Sequence, residues 1–85
     1  MFCSTGCGAV IACNKIKGIR AALCHDTYCA HQCVEHDNVQ ILALGGEVIG
    51  YYTAIEVINS FLGAEFSGEA EFVRRLEKLE HLEAK

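Results

Sequence analysis

The fold is decided by residues 19–46, which read IRAALCHDTYCAHQCVEHDNVQILALGG. Within this stretch, two short apolar runs at residues 19–24 and 39–44 flank a polar segment of helical length, and a pair of glycines ends the second run. Runs of this length that are apolar on both faces are typical of strands in a parallel sheet with helices on both sides. Asp26 is a suitable N-cap for the intervening helix, which we predict to extend to about Glu35.

Three further segments are predicted to be helices from the spacing of their apolar residues: residues 8–17, 51–62 and 69–85. Glycine follows the first two, at positions where it commonly ends a helix. The helix predicted for residues 51–62 is expected to carry Ile55, Ile58 and Leu62 on one face. The tail helix places Phe72, Leu76 and Leu79 on one stripe, and we expect a neighbouring subunit of a dimer or larger assembly to cover that stripe.

The order strand–helix–strand–helix predicts an α/β protein with three layers, in which a doubly wound, Rossmann-like parallel sheet lies between helices. Only two complete strands and a short stub at residues 1–3 are visible in the 85 residues. Because two parallel strands do not make a stable sheet, we expect residues 1–85 to be a single partial domain. It corresponds to the second half of a doubly wound domain, followed by the C-terminal amphipathic helix.

Composition narrows the possible functions. The chain is 52% apolar with a net charge of −4, so it lacks the basic surface of a nucleic-acid-binding protein. No apolar run approaches the roughly 20 residues of a membrane span, and no signal peptide is apparent, so we expect a soluble cytoplasmic protein. Its six cysteines are expected to be reduced thiols, most of them acting as small apolar residues.

The segment CSTGCG, residues 3–8, is expected to join a strand to a helix. Gly6 and Gly8 allow the backbone to approach an oxyanion closely, and the helix that follows adds the positive end of its dipole. The segment is neither a P-loop, since no lysine–serine pair follows, nor a dinucleotide fingerprint, since Ile11 replaces the third glycine. Cys3 at the strand end is a candidate base or nucleophile, although a plain turn with a buried cysteine remains the alternative.

Two stretches together resemble the carboxyl-terminal half of a known enzyme family. CSTGCGAVIACNKIKGIRAALCHDTY and EHDNVQILALGGEVIG are similar to the ribose-5-phosphate isomerase type B family, which includes the paired subunits of galactose-6-phosphate isomerase. The tail FSGEAEFVRRLEKLEHLE is more similar to the B subunit of galactose-6-phosphate isomerase. The resemblance implies an aldose–ketose isomerase of phosphorylated sugars, acting on ribose 5-phosphate or galactose 6-phosphate through an enediolate. We expect it to need neither a cofactor nor a metal ion.

The resemblance also implies residue roles. Cys3 matches the catalytic base that moves a proton between C1 and C2, and His36 with Thr5 matches the groups that open the sugar ring. Arg74 or Arg75 would bind the phosphate. The resemblance further implies that the backbone amides of the loop form an oxyanion hole. The residues expected to bind the substrate or its negative charge are Ser4, Gly6, Cys7, Gly8, Asn14 and Asp37.

Several positions depart from the family pattern. The family's first strand with its aspartate–histidine pair is not in this chain, and Ser4 replaces a glycine. Asp37 replaces an asparagine, Glu47 an arginine near the phosphate, and Ala70 lies near another phosphate-binding position. Charge reversal beside a phosphate costs several kcal/mol, roughly, where solvation is poor. Two alternatives therefore remain: the chain is an active isomerase, or it is a non-catalytic partner subunit or a degenerate fragment of such an isomerase.

A third hypothesis is a metal or redox module, because cysteines and histidines crowd into residues 24–36. The segment has no C-x-x-C pair, and on a helix His31 would point about 160° away from Cys33. We therefore favour apolar thiols facing the sheet and histidines facing solvent. For the isomerase, the expected partners are a phosphorylated sugar and either a second copy of the chain or a longer isomerase subunit, with no nucleic acid or membrane.

Overall fold

Three strands and four helices alternate along the chain, in a computed structural model that describes residues 1–85. Their bounds are β1 Phe2–Cys3, α1 Cys7–Asn14, β2 Ala21–Leu23, α2 Thr27–Asp37, β3 Ile41–Gly45, α3 Tyr51–Leu62 and α4 Ala70–Glu83. The predicted order of elements is therefore confirmed, including the strand stub at the start. No helix has both the length and the apolar character needed to cross a bilayer.

The three strands form one parallel sheet in the order β1–β3–β2, with β3 in the centre. Phe2 is paired with Leu44 on one side of β3, and Ala22 with Leu42 on the other. From β1 the chain passes through α1 to β2, two positions away in the sheet, and then through α2 back to β3, which fills the position between them. Because such crossovers are right-handed, the reversal of direction places α1 and α2 on opposite faces of the sheet.

The main core lies between the sheet and helices α2 and α3. Leu42 and Leu44 of β3 join a buried cluster with Val34 of α2 and Val57 of α3. Ala43, whose side chain alternates to the other face, is also fully buried, because α1 covers that side. Burial on both faces of β3 confirms the three-layer, Rossmann-like α/β architecture.

Helices α1 and α2 differ most from prediction in where they end, while α1 begins one residue early, at Cys7, and α4 spans Ala70–Glu83 instead of residues 69–85. Helix α1 ends at Asn14 instead of residue 17, because residues 15–18 form a turn in which the Lys15 amide donates to the Ala12 carbonyl and Gly18 has a φ of 83°. Helix α2 continues two residues beyond the predicted end and stops at Asn38, which takes the left-handed conformation with a φ of 49°. The strands are shorter than the apolar runs that predicted them.

The predicted apolar face of α3 is confirmed at Ile58, which is half-buried against the core, and is wrong at Ile55 and Leu62. Its buried residues are Ala54 and Val57, whereas Ile55 and Leu62 are 39% and 73% exposed. Helix α3 lies against α2, and each helix buries an alanine: Ala54 in α3 and Ala30 in α2. Alanines allow two helices to approach closely, which a pattern of large apolar residues does not reveal.

Helix α4 lies against α2 through its amino-terminal half. Phe72 is buried and Leu76 is half-buried, while Leu79, of the same predicted stripe, is 48% exposed. The last turn is fastened to the other side of the molecule, since the Gly18 amide donates to Glu83 Oε1 at 2.7 Å. Within the chain, the apolar stripe of the tail helix is thus buried at Phe72, partly covered at Leu76 and exposed at Leu79.

Candidate active site

The loop between β1 and α1 lies at the carboxyl edge of the sheet, beside the turn that follows β3. The Gly46 amide donates to the Cys3 carbonyl at 2.7 Å, and the Glu47 amide donates to the Ser4 carbonyl at 3.0 Å. These bonds hold the two segments together at the edge where parallel α/β sheets bind ligands. We call residues 4–8 the amide loop.

Gly6 gives the amide loop its shape. Its φ is 88°, a conformation that side chains rarely adopt, and it forms the N-cap of α1. A Cβ at this position would come within 2.5 Å of Leu23 Cδ1 and 3.3 Å of the Leu44 carbonyl carbon. Only glycine lets the loop lie this close to both neighbouring strands.

The Cys3 sulfur is exposed and accepts a hydrogen bond from the Gly6 amide at 2.9 Å. Around it, the amides of Ser4, Thr5 and Gly8 have no acceptor within the chain. Free amides at a helix start, together with the helix dipole, favour negative charge. The site can therefore hold a thiolate and an oxyanion next to each other. The Thr5 hydroxyl accepts a long bond from the Cys7 amide, at 3.4 Å.

The amide loop is open to solvent. The two cavities of the chain lie elsewhere: one of about 390 Å³ lies between α4 and the turn after α1, and one of about 300 Å³ beside β1. Glu47, which replaces the family's arginine, is exposed in the turn that is bonded to the loop. Its carboxylate adds negative charge near the loop, and nothing in this chain excludes water from Cys3.

A residue that the sequence analysis did not select also lies at this edge. His25 follows β2 after one residue, and its Nε2 accepts a hydrogen bond from the Gly45 amide at 2.9 Å. Since the carboxyl ends of parallel strands meet at one edge, a histidine just after an apolar run was the signal that could have identified it.

His36 does not lie at the amide loop. It is the penultimate residue of α2, and this helix runs from the carboxyl edge of the sheet to the amino edge, a distance of about 16 Å for its 11 residues. Its imidazole stacks on Phe72 with ring centroids 4.1 Å apart. A single chain therefore does not bring His36 together with Cys3 and Thr5.

The predicted phosphate ligands lie near His36. The Arg75 guanidinium carbon is 5.5 Å from the Phe72 ring centroid, and Arg74 is exposed on the same helix. Asp37 follows His36 and is exposed. His36, Asp37, Phe72 and Arg75 together form what we call the α2–α4 cluster, which presents a cation, a carboxylate and an imidazole at the end of the sheet opposite Cys3.

Asn14 has a structural role in this chain. Its Oδ1 accepts from the Ala21 amide at 2.8 Å, and its Nδ2 donates to the Ala21 carbonyl at 3.0 Å. This pair of bonds fastens the end of α1 to the start of β2, so the amide is not free to bind an anion at the loop.

Three of the six thiols are buried and three are exposed. Burial, followed by the nearby Cys33, raises the pKa of Cys24 to about 12, and burial also raises the pKa of Cys33. Cys29 is exposed, contrary to the expectation that the thiols of this segment face the sheet, and a hydrogen bond with Asp26 raises its pKa. All six cysteines are free thiols, and no three His, Cys, Asp or Glu residues are grouped to hold a metal ion.

The parallel sheet between helices defines a Rossmann-like α/β protein, and the exposed Cys3 thiol lies beside the amide loop at the edge where such sheets bind ligands. The chain belongs to the ribose/galactose isomerase family, whose sequence pattern it matches over residues 1–79. The resemblance inferred from the sequence is thereby confirmed.

Individual relatives agree with this assignment. The chain is 46% identical to D-erythrulose-4-phosphate isomerase of Pectobacterium atrosepticum, over 98% of this chain and 56% of that protein. It is 38% identical to ribose-5-phosphate isomerase B of Escherichia coli, over 80% and 46%. The structure of type B ribose 5-phosphate isomerase from Trypanosoma cruzi superposes with a TM-score of 0.95 at 43% identity, over 98% and 55%. The chain therefore spans about half the length of these relatives.

Proposed function

We propose that this chain carries the proton-transfer part of an aldose–ketose isomerase site for phosphorylated sugars. The observation that carries the proposal is the hydrogen bond from the Gly6 amide to Cys3 Sγ, beside amides that have no acceptor. Such a bond stabilises a negatively charged sulfur, which can act as a base.

The proposed reaction has two proton transfers. The Cys3 thiolate removes the proton from C2 of the open-chain aldose, the C1–C2 double bond forms, and the carbonyl electron pair moves to the C1 oxygen. The free amides of Ser4, Thr5 and Gly8 donate to this oxyanion. The thiol then returns the proton to C1, and the proton of the C2 hydroxyl passes to the C1 oxygen, directly or through solvent, which leaves a ketose with a C1 hydroxyl and a C2 carbonyl.

The complete site requires more than one copy of this chain or a longer subunit. His36, proposed to open the sugar ring, and Arg75, proposed to bind the phosphate, lie at the end of the sheet opposite Cys3. Two chains that meet with the amide loop of one facing the α2–α4 cluster of the other would bring these groups together. We therefore propose a homo-oligomer or a complex with a longer isomerase subunit.

The proposed substrates are small sugar phosphates. The sequence predicts ribose 5-phosphate or galactose 6-phosphate with the corresponding ketoses, and the relative named as a D-erythrulose-4-phosphate isomerase adds a four-carbon sugar phosphate to this class. The alternative function is that of a non-catalytic partner, which the open position of Cys3 and the Glu47 carboxylate near the loop favour.

Exchange of the substrate's C2 proton with deuterated solvent, followed by NMR, tests the proposal. The 85-residue chain is assayed alone and mixed with a longer isomerase subunit, on each of the three sugar phosphates. We expect the Cys3→Ala variant to lose exchange and the matched variant Cys29→Ala, an exposed thiol on α2, to retain it. Equal exchange in Cys3→Ala and native protein would exclude Cys3 as the base, and no exchange in any mixture would favour the non-catalytic partner.

Sedimentation velocity at micromolar concentration tests the assembly. A homodimer or a complex with the longer subunit is expected, and a chain that sediments as a monomer in both cases would contradict the two-chain site.

A further inference from the structure

We propose that His25 is a positioning residue that sets the place of the amide loop by holding the backbone of Gly45. His25 does not contact the Cys3 sulfur. It acts through the turn after β3, which contacts the loop at three consecutive residues. The effect on catalysis rests on the proposed function, but the positioning itself can be measured without any substrate.

The first step is the contact between His25 and the central strand. Its Nε2 accepts the Gly45 amide hydrogen at 2.9 Å, so that nitrogen carries no proton and the neutral ring is protonated at Nδ1. Gly45 is buried, whereas His25 is half-buried. A buried amide that loses its acceptor is destabilised, so this bond fixes where the end of β3 lies.

The second step is the contact between the turn and the amide loop. A Cβ on Gly45 would lie 2.7 Å from the Thr5 carbonyl oxygen and 2.9 Å from Thr5 Cα, so these backbones are already in contact. The next amide, Gly46, donates to the Cys3 carbonyl, and the one after it donates to the Ser4 carbonyl. Movement of Gly45 therefore moves the backbone that carries the thiol and the free amides.

The third step is the sensitivity of the site to position. Donors of an oxyanion hole act over short distances, and a displacement of about 1 Å costs about 100-fold in rate. Because no other part of this chain covers the exposed loop, its position depends on its contacts with the strand ends, including those of Gly45, Gly46 and Glu47.

Two variants separate hydrogen bonding from packing. In His25→Gln the side-chain amide oxygen reaches about the place of Nε2 and can accept from Gly45, whereas His25→Leu fills similar space without an acceptor. We expect amide hydrogen exchange at Gly45 and Gly46 to be about tenfold faster in His25→Leu and near native in His25→Gln, with the exchange of Ala43 unchanged in both.

The native protein gives an independent readout, since nitrogen NMR of the His25 ring reports which nitrogen carries the proton. A proton on Nε2 at neutral pH would overturn the proposal, as would equal exchange at Gly45 in the Leu and Gln variants. If His25→Leu does not fold, the ring NMR and the Gln variant still decide the matter.

The effect of His25 on catalysis is measured separately from amide exchange and ring NMR. Where the native protein exchanges the C2 proton, His25→Leu is expected to lower kcat about tenfold or more while His25→Gln restores most of it. A native protein without C2 exchange would refute the proposed function and leave the amide-exchange result for His25 intact.

Discussion

The imidazole of His36 lies flat on the ring of Phe72, with centroids 4.1 Å apart and planes 12° apart. Arg75 lies on this aromatic ring as well, so a single side chain of α4 organises both the imidazole and the cation of the α2–α4 cluster. Phe72 is also the one buried residue of α4. The position of the proposed ring-opening and phosphate-binding groups and the docking of the tail helix thus depend on the same ring.

Replacement of Phe72 by Ala is expected to lower the free energy of unfolding by about 3 kcal/mol, because it removes a buried aromatic ring and leaves a cavity. The matched variant Val73→Ala, at an exposed neighbouring position, is expected to change it by less than about 1 kcal/mol. Urea unfolding followed by circular dichroism measures both. Equal stability of the two variants would show that α4 does not depend on this contact.

Gly6→Ala and Gly8→Ala are expected to have opposite effects on stability. Alanine at Gly6 must adopt a positive φ and meets Leu23 at 2.5 Å, so we expect a loss of about 1–3 kcal/mol. At Gly8, which is helical and has no atom within 4 Å of its Cβ position, alanine is expected to be neutral or to stabilise by up to about 1 kcal/mol. Thermal unfolding compares them, and a stable Gly6→Ala protein would mean that the loop can take another shape.

Asp26 is expected to make stability fall in acid. Its carboxylate accepts the Cys29 amide hydrogen at 2.7 Å, and this bond holds its pKa below the ordinary value of 3.8. A lowered folded-state pKa means that the contribution is fully present above about pH 4 and is lost as the pH falls through the folded-state value.

The urea midpoint of native protein and of Asp26→Asn, measured at pH 7 and at pH 3, tests this prediction. Asparagine keeps a capping oxygen without the charge, so the difference between the two pH values should be smaller in the variant. The same acid dependence in both proteins would assign the effect to other carboxylates.

The thiols are expected to differ in their rate of alkylation by iodoacetamide. Cys3 and Cys7 are exposed in or beside the helix start and should react first, and exposed Cys29 should react more slowly because its hydrogen bond with Asp26 raises its pKa. Cys24 is buried, which raises its pKa to about 12, and it should react last because the thiolate is the reactive form. Peptide mass spectrometry gives the order, and rapid labelling of Cys24 in folded protein would contradict it.

Local sequence signals predicted the elements of the fold well. The Asp26 cap, the apolar run that forms β3 and the bounds of α3 follow from short-range patterns, and the structure has all three. The orientation of α3 could not be predicted in this way, because it depends on the packing of α3 against α2, a segment distant in sequence.

Only the part of the candidate site that is contiguous in sequence could be predicted, because short-range patterns do not show which distant segments meet. The amide loop is contiguous, so its glycines and Cys3 could be recognised together. The placement of His36 depends on the direction of α2, and the link between His25 and Gly45 depends on the pairing of strands 20 residues apart. Residue types and their spacing do not show the direction of a helix relative to the sheet or which distant strands pair.

The central place of β3 in the sheet affects how the protein forms during synthesis. Within residues 1–85, β1 and β2 each pair only with β3, so neither finds a partner among these residues until the ribosome has released residues 41–45. Cys3 therefore acquires its contacts with the turn after β3 only once residues 45–47 have been synthesised. Until then, the nascent polypeptide exposes two apolar segments, and a slow passage through this stage would give chaperones time to bind them.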